Sequence, residues 1–457
     1  MERALTHETA ATEDERFFED LRAREFGRLD ATGTCYLDYT GAALYAESHI
    51  RAHEALLCRG VFGNPHSEHP ASAATMRPIE AARQRVLRWL DANDDYAVCF
   101  TANASAAIKL VAEAYPFRPG ISCVLSADNH NSVNGVREYA RRAGSEVQYL
   151  PLTPELRLSE PETRLRDLGA NEGGLLLFPA QSNFSGVQHP LSLVATAQSH
   201  GYRVLLDAAA FVPGHRLDLG TCRPDFVAMS FYKVFGYPTG VGALVARRDA
   251  LAALARPWFA GGTVDYASVQ LRRHQLRPLP DAFEDGTPNF LDILAIAPGF
   301  SLREEVGADR IERHIRSLTA SLLTIVEGLR HASGAPLVRV YGPVTVDRRG
   351  GSIAFNVLDR DGRTVPFGLV EERANAAGVL LRGGCFCNPG AAEAAFQFDE
   401  RRMAACLASL DRGFSIPGLQ RCLGAGVPVG AVRASVGIAN NAEDIRRAGE
   451  VVASFAA

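Results

Sequence analysis

The sequence is short of lysine, of long apolar runs and of any strong surplus of charge, and the last two shortages each remove a class of function. No stretch approaches the roughly 18 consecutive apolar residues that a membrane-spanning helix needs, so no membrane partner is expected. Basic and acidic residues number 48 and 52, for a formal net charge of −4. That balance exerts no electrostatic pull toward nucleic acid or an anionic membrane surface. The N-terminus, MERALTHETAATEDERFFEDLRAREF, lacks the basic-then-apolar order of a secretory signal, and a soluble, cytoplasmic protein is expected. Nine cysteines in 457 residues are too sparse and irregular for a disulfide framework. Most lie in apolar surroundings, such as Cys99 in AVCF and Cys123 in SCVL, where a buried small hydrophobe is expected.

What is present is ordinary globular composition, 47% apolar and 22% charged, long enough for a large domain plus a smaller one. Residues 14–26 read as a surface helix with Phe17, Phe18, Leu21 and Phe26 as its apolar contacts. From about 96 to 246, apolar strand-like runs (YAVCF, SCVLSA, EVQYLPL, GLLLFPA, RVLLDAA, DFVAMSF, VGALVA) alternate largely with helical stretches. Strands buried on both faces and separated by helices predict a mainly parallel sheet covered by helices. Ligands of such sheets collect at the carboxyl ends of the strands. Residues 301–336 read as predominantly helical. LVRVYG, GSIAFNV, VLLR and AVRASVG then predict a second α/β layer, closed by a helix near 442–456. The expected division is an N-terminal segment 1–30, a large domain 31–300 and a small C-terminal domain 301–457. Residues 391–430 read as partly helix and partly loop.

Several short phrases carry chemistry. In SFYKVFGYPTG, Lys233 follows an apolar strand amid Phe231, Tyr232, Phe235 and Tyr237. Most lysines are solvated, but a desolvated one has a lowered pKa and can form a Schiff base. In VLLDAAAF, Asp207 ends an apolar strand, where a carboxylate needs a partner; a protonated pyridine nitrogen is one, and a turn or helix cap is the bland alternative. The strand–TANAS–helix element puts Ser105 and small residues where a helix begins, a weak but suitable place for a phosphate. His130 in DNHNSV is either a surface histidine or a ring that stacks on a flat cofactor. In RGGCFCNPG, Cys385 and Cys387 would point the same way if extended and apart if a turn intervenes. No further ligands lie nearby for zinc, so no metal is expected. A thiolate near Arg382 is the sharper reading, and an inert loop cysteine the plainer one.

Together these phrases resemble the class V aminotransferase family of pyridoxal phosphate enzymes of fold-type I, which includes cysteine desulfurases. The nearer likeness is to the N-terminal desulfurase domain of molybdenum cofactor sulfurases. YLDYTGAALY, GNPHS, TANAS, NHNSVNGVREYA, FPAQSNFSG, LLDAAAF, SFYKVFGYPTG, GTPNF, RGGCFCNPGA and GAVRASVG follow the family's order from residue 36 to 437. The resemblance implies a large domain with a mainly parallel seven-stranded sheet between helices, and a smaller α/β C-terminal domain carrying the cysteine loop. It implies that Lys233 holds the cofactor, Asp207 pairs with its ring nitrogen, His130 stacks on the ring and Asn183 holds the phenolic oxygen. Ala104, Ser105 and Ser230 would bind its phosphate, with Thr287 from a neighbouring subunit of a homodimer. Arg433 would grip the substrate carboxylate with Arg382 nearby. Cys387, five residues after Arg382 as in the family, would take sulfur from L-cysteine or an analogue, release alanine and pass the sulfur to an acceptor protein or cofactor. The second domain with which such sulfurases bind their client cofactor lies outside the likeness.

The chain departs from common desulfurases at four positions: Tyr232 stands for a phosphate-binding histidine, Ala210 for a glutamine, Asn103 for a glycine and Ala439 for a tyrosine. These keep other readings open. One is a selenocysteine lyase, and another is a lyase or epimerase that acts on a different amino acid without needing Cys387. A third is a non-catalytic scaffold that binds a sulfur-handling partner.

Overall fold

A computed structural model describes residues 12–169, 173–410, 413–424 and 426–456; the reading of the first eleven residues lies outside these. Helix α1 (Glu13–Phe26) starts at a capping box in which Thr12 and Glu15 each accept the other's backbone N–H, at 3.2 and 2.7 Å. Its Phe18, Leu21 and Phe26 are buried, as their spacing predicts.

The main sheet contains β1 (Tyr96–Thr101), β2 (Ser122–Ser126), β3 (Glu146–Leu150), β4 (Gly174–Pro179), β5 (Tyr202–Asp207), β6 (Phe226–Ser230) and β7 (Gly242–Arg247). Their spatial order is β1-β7-β6-β5-β4-β2-β3. Neighbours are parallel except around β7, which runs antiparallel to β1 and β6. This is the seven-stranded, mainly parallel sheet of fold-type I. Strand alternation divides the side chains between two cores. Leu176 and Phe178 of β4 join Val204 and Leu206 on one face, while Leu175 and Leu177 join Leu205 and helix α2 (Ala104–Ala114) on the other. Each such buried side chain contributes about 1.5–3 kcal/mol, so the sheet is a stiff platform. The edge strand β3 is mostly solvent-facing, as an edge can be.

A third core lies on the other sheet, β8 (Val338–Tyr341), β9 (Ser352–Val357), β10 (Arg382–Gly384) and β11 (Ala431–Ser435), antiparallel in the order β8-β9-β11-β10. Helices α3 (Ala308–Gly328) and α4 (Ala442–Ala453) pack on it, and α1 packs there too. The predominantly helical reading of 301–336 holds to Gly328, through helix Ile296–Val306 and α3; beyond it Arg330 bridges Pro336 around a turn in which His331 N–H bonds the Ala335 carbonyl. The Gly and Pro of HASGAP favour that turn.

The cysteines form no framework, but one pair is joined. Cys406 and Cys422 form a disulfide, with Cα atoms 5.7 Å apart. Helices Glu400–Leu410 and Ile416–Leu423 fold back on each other, so residues distant in sequence meet in a satellite core with Leu419 and Leu423. It is a local staple between two neighbouring helices, which scattered spacing along the whole chain does not reveal. Among the described residues no helix is long and apolar enough to cross a membrane.

Candidate active site

Three parallel strands end side by side, Pro179 beside Asp207 and Asp207 beside Ala228. Their carboxyl ends therefore deliver several polar residues to one place. Past Ser230 the chain makes one helical turn, Phe231–Phe235, which buries Phe231, Val234 and Phe235 and presents Lys233 to the pocket. Lys233 is one of only two lysines in the chain, and the other, Lys109, is an exposed partner of Glu113 at 2.7 Å. The Lys233 amine makes no hydrogen bond among the described residues. Burial pushes its pKa down, and Arg433 adds to this while Asp207 opposes it.

Ala104, Ser105, His130, Asn183, Asp207, Ser230 and Lys233 all line this one pocket. At its helical end Asn103 caps α2 by accepting the Ala106 N–H at 3.0 Å. Ser230 Oγ accepts the Ala104 N–H at 2.8 Å, and the Ser105 and Ser132 hydroxyls lie 2.5 Å apart. Strand β7 passes so close behind that a Cβ on Gly242 would sit 2.6 Å from the Cα of Asn103. Hydroxyls and a helix N-terminus suit a phosphate. His130 accepts the Ser132 N–H on Nδ1 at 3.1 Å, and burial lowers its pKa. Asp207 also accepts the Ala209 N–H, at 3.0 Å.

Next to this lies an arginine pair that cross-strand register brings together, Arg382 of β10 opposite Arg433 of β11. Both grip Asp38: Arg382 through Nε at 3.0 and 2.9 Å, and buried Arg433 through Nη2 at 2.8 Å. Arg433 also donates to the Asn183 carbonyl at 2.7 Å, and its Nε is buried with no partner. One carboxylate between two guanidiniums leaves a net positive charge, which suits a substrate carboxylate. Asp38 has only its place in YLDYTG as a sign in the sequence; the structure brings it here by pairing its own backbone with Ser435 of β11.

The cysteine loop is a tight turn. Phe386 and Cys387 have φ of 55° and 56°, a left-handed conformation that costs non-glycine residues about 1–2 kcal/mol each. The turn separates the two thiols. Cys385 is half-buried, its Sγ donating to the Val429 carbonyl at 3.2 Å, and burial pushes its pKa up to about 11. Cys387 is exposed, and its carbonyl accepts the Asn131 N–H at 2.7 Å, beside His130. Asn183 donates to the Phe386 carbonyl at 2.6 Å, so part of its donor capacity is committed to the turn. Thr287 is not in this pocket; it accepts from Asn64 at 3.2 Å and lines a separate cleft with Thr101 and Asn289.

A buried lysine, a strand-end aspartate and a helix-capped phosphate niche on this sheet define an enzyme fold of the pyridoxal phosphate-dependent type. The chain belongs to the aminotransferase class-V family, whose model matches residues 35–448, and the cofactor is pyridoxal phosphate. It is 37% identical over 443 residues to molybdenum cofactor sulfurase 3 of Aedes aegypti, covering 92% of this chain and 56% of that one. It is 39% identical over 461 residues to molybdenum cofactor sulfurase of Anopheles gambiae, covering 95% and 58%. The chain thus spans just over half the length of these relatives. An apo cysteine desulfurase from Thermococcus onnurineus NA1 superposes with a TM-score of 0.79 at 22% identity, covering 96% of this chain and 97% of that one; this likeness concerns the fold.

Proposed function

We propose that the protein is a cysteine desulfurase: L-cysteine is converted to L-alanine, and its sulfur is carried on Cys387 as a persulfide. The observation that carries this reading is the turn that holds the exposed Cys387 through its own carbonyl to Asn131, beside His130 and one wall of the Lys233 pocket. Lys233, Asp207 and the 104–105 niche fit pyridoxal phosphate by their chemistry: a free amine, a carboxylate for a ring nitrogen, and N–H and hydroxyl donors for phosphate. When bound, the cofactor supplies an electron sink for the α-carbon of an amino acid.

The chain's own groups have the remaining tasks. Arg433, with Arg382 beside it, holds the substrate carboxylate. The Lys233 amine, kept less basic by burial, takes the α-proton and returns a proton on the way to alanine. The Cys387 sulfur attacks the substrate sulfur as the carbon–sulfur bond breaks. The sulfur–sulfur bond forms on the enzyme, the bond's electrons stay with the carbon fragment, and protonation of that fragment yields alanine. An acceptor protein or cofactor then removes the sulfur. A homodimer in which Thr287 of each copy completes the other's phosphate niche is part of this reading, and the position of Thr287 outside its own pocket supports it.

The test compares wild type with Cys387→Ser on L-cysteine, assaying alanine and sulfide together and recording the visible cofactor band. Loss of both products with the band intact supports the reading. Equal turnover in both proteins overturns it in favour of a lyase that does not use this thiol.

A further inference from the structure

A second cavity continues from the cofactor pocket past Lys233. The two share Lys233, Gln181, Ala209 and Ala210, and the second runs on between the main sheet and the smaller one, to His215, Arg303 and Ile315. Its walls hold Lys233, Arg303 and His215 and not one aspartate or glutamate.

Arg303 is the unusual member. It is 7% exposed, yet its side chain makes a single hydrogen bond, from Nη1 to the Pro213 carbonyl at 2.8 Å, and no ion pair among the described residues. Three other buried arginines are matched to acid, Arg83 to Glu284 at 2.6 Å, Arg22 to Asp444 at 2.7 Å and Arg433 to Asp38 at 2.8 Å, and a fourth, Arg349, donates to three backbone carbonyls where Arg303 has one. Burial alone pushes Arg303 down to about 10, with no carboxylate to offset it. Two residues past Pro213, the His215 side chain is nine-tenths buried; its Nδ1 faces Glu312 at 3.4 Å and its Nε2 has no partner. A guanidinium retained in an apolar site without its counter-charge is costly. An anion in the cavity would remove that cost, and a planar two-oxygen anion matches the guanidinium fork.

We propose that this cavity is a carboxylate pocket, in which Arg303, with His215, holds a small carboxylate next to Lys233. The carboxylate is either a free ion or the distal acid of an amino acid whose α-carboxylate sits at Arg433. L-cysteine has no such second acid, so the pocket is independent of the sulfur chemistry proposed above.

The protein carries its own reporter. The Arg303 guanidinium lies 5.9 Å from the centre of the Trp89 ring, and the chain has only one other tryptophan, the exposed Trp258. In the Trp258→Phe holoenzyme, acetate titrated at constant ionic strength against chloride is expected to give a saturable change in Trp89 emission. Arg303→Gln in the same background is expected to weaken acetate at least ten-fold while the visible cofactor band is unchanged. If the Gln variant loses that band, Arg303→Lys takes its place, with a several-fold weaker affinity expected from the lost fork. A response linear in acetate, or equal affinity in wild type and the folded variant, overturns the proposal. Competition then names the source: L-glutamate displacing acetate where L-alanine does not points to a distal acid, and acetate binding undisturbed by either points to a free ion.

Discussion

The Lys233 turn in the pocket and the Cys387 turn beside it are built by opposite means. Lys233 stands on a turn anchored by packing: Phe231 and Phe235 stack on each other and meet Phe300 edge-on, beside central strands buried on both faces. The Cys387 turn is held by directed polar bonds instead. Buried Asp128 accepts from Ser182 at 2.7 Å, Asn388 at 2.7 Å and His189 at 2.8 Å. Asn388 bonds Asn183 at 3.0 Å, and Asn183 bonds the Phe386 carbonyl. Close behind, a Cβ on Gly390 would lie 2.2 Å from the Ala127 carbonyl, so the helix after the turn is seated directly on backbone. Packing spreads its energy over many contacts, each of modest worth. A polar network concentrates it, and removal of one member leaves the others buried and unsatisfied. The fixed end should therefore fail only when its reactive group is lost, and the strained end when a distant support is lost.

The largest effect follows from removing that reactive group. Lys233→Ala is expected to lower L-cysteine turnover by at least about 10³-fold, the scale of a lost proton-transfer group, with little change in the urea midpoint. A large stability loss would mean that the turn depends on Lys233 and that packing does not hold it. Next comes the support at the other end. Asp128→Ala strands two neutral donors and a histidine in the interior and is expected to cost about 3 kcal/mol of stability. Its turnover should fall while the cofactor band stays in place, because the network makes no bond to Lys233 and meets the pocket only through Asn183. Loss of the band along with turnover would join the two ends into one unit.

A smaller, titrational effect separates the ends again. Lys233 has its pKa lowered first by burial, with Asp207 holding it up. In the window between its lowered pKa and the ordinary 10.5, the folded apoprotein presents a neutral amine while an exposed lysine is protonated. The rate at which apoprotein takes up pyridoxal phosphate should therefore rise with pH and level off below 10.5. Asp207→Asn removes the opposing charge and should move that midpoint to lower pH, with no effect on the reactivity of the Cys387 thiol. An upward shift would contradict the assigned sign.

How far these ends were legible in the sequence follows from their construction. Alternation of apolar runs and helices exposes the strands of the main sheet: burial on both faces leaves a continuous apolar signal, rich in Val and Leu, in runs such as GLLLFP, and the half-open edge strand EVQYL still stands out by its position between helices. Lys233, Asp207, Ser105 and His130 stand at or just beyond strand ends, so locating the strands also locates them. Asp38, Asp128 and Arg303 have no such marker. Asp38 matters because a short parallel pairing of Cys35–Tyr36 with Val379–Leu380 carries it to β11, and Asp128 because three distant residues converge on it. Those are long-range contacts, invisible to any local pattern. The disulfide leaves no local mark for the same reason, since its pairing depends on how two helices fold back on each other.

The smallest effect lies within the cysteine end itself. Cys385 and Cys387 are two residues apart, but Phe386 turns them to different surroundings. Cys385 gives its proton to a weak bond with the Val429 carbonyl, and its pKa of about 11 keeps it a neutral thiol near pH 8. Cys385→Ala should accordingly change L-cysteine turnover less than about two-fold, a sulfur hydrogen bond being a weak one. Iodoacetamide at pH 7.5 should modify Cys387 far faster than Cys385, read by mass spectrometry of the two sites. The sign at high pH is also set. Unfolding returns Cys385 to an ordinary value near 9.0, so between about 9 and 11 the unfolded chain releases the proton that the folded one keeps. Wild type should lose stability across that interval relative to Cys385→Ala. A Cys385 variant that instead abolished turnover would move the reactive sulfur to the buried side of the turn and dissolve the contrast between the two thiols.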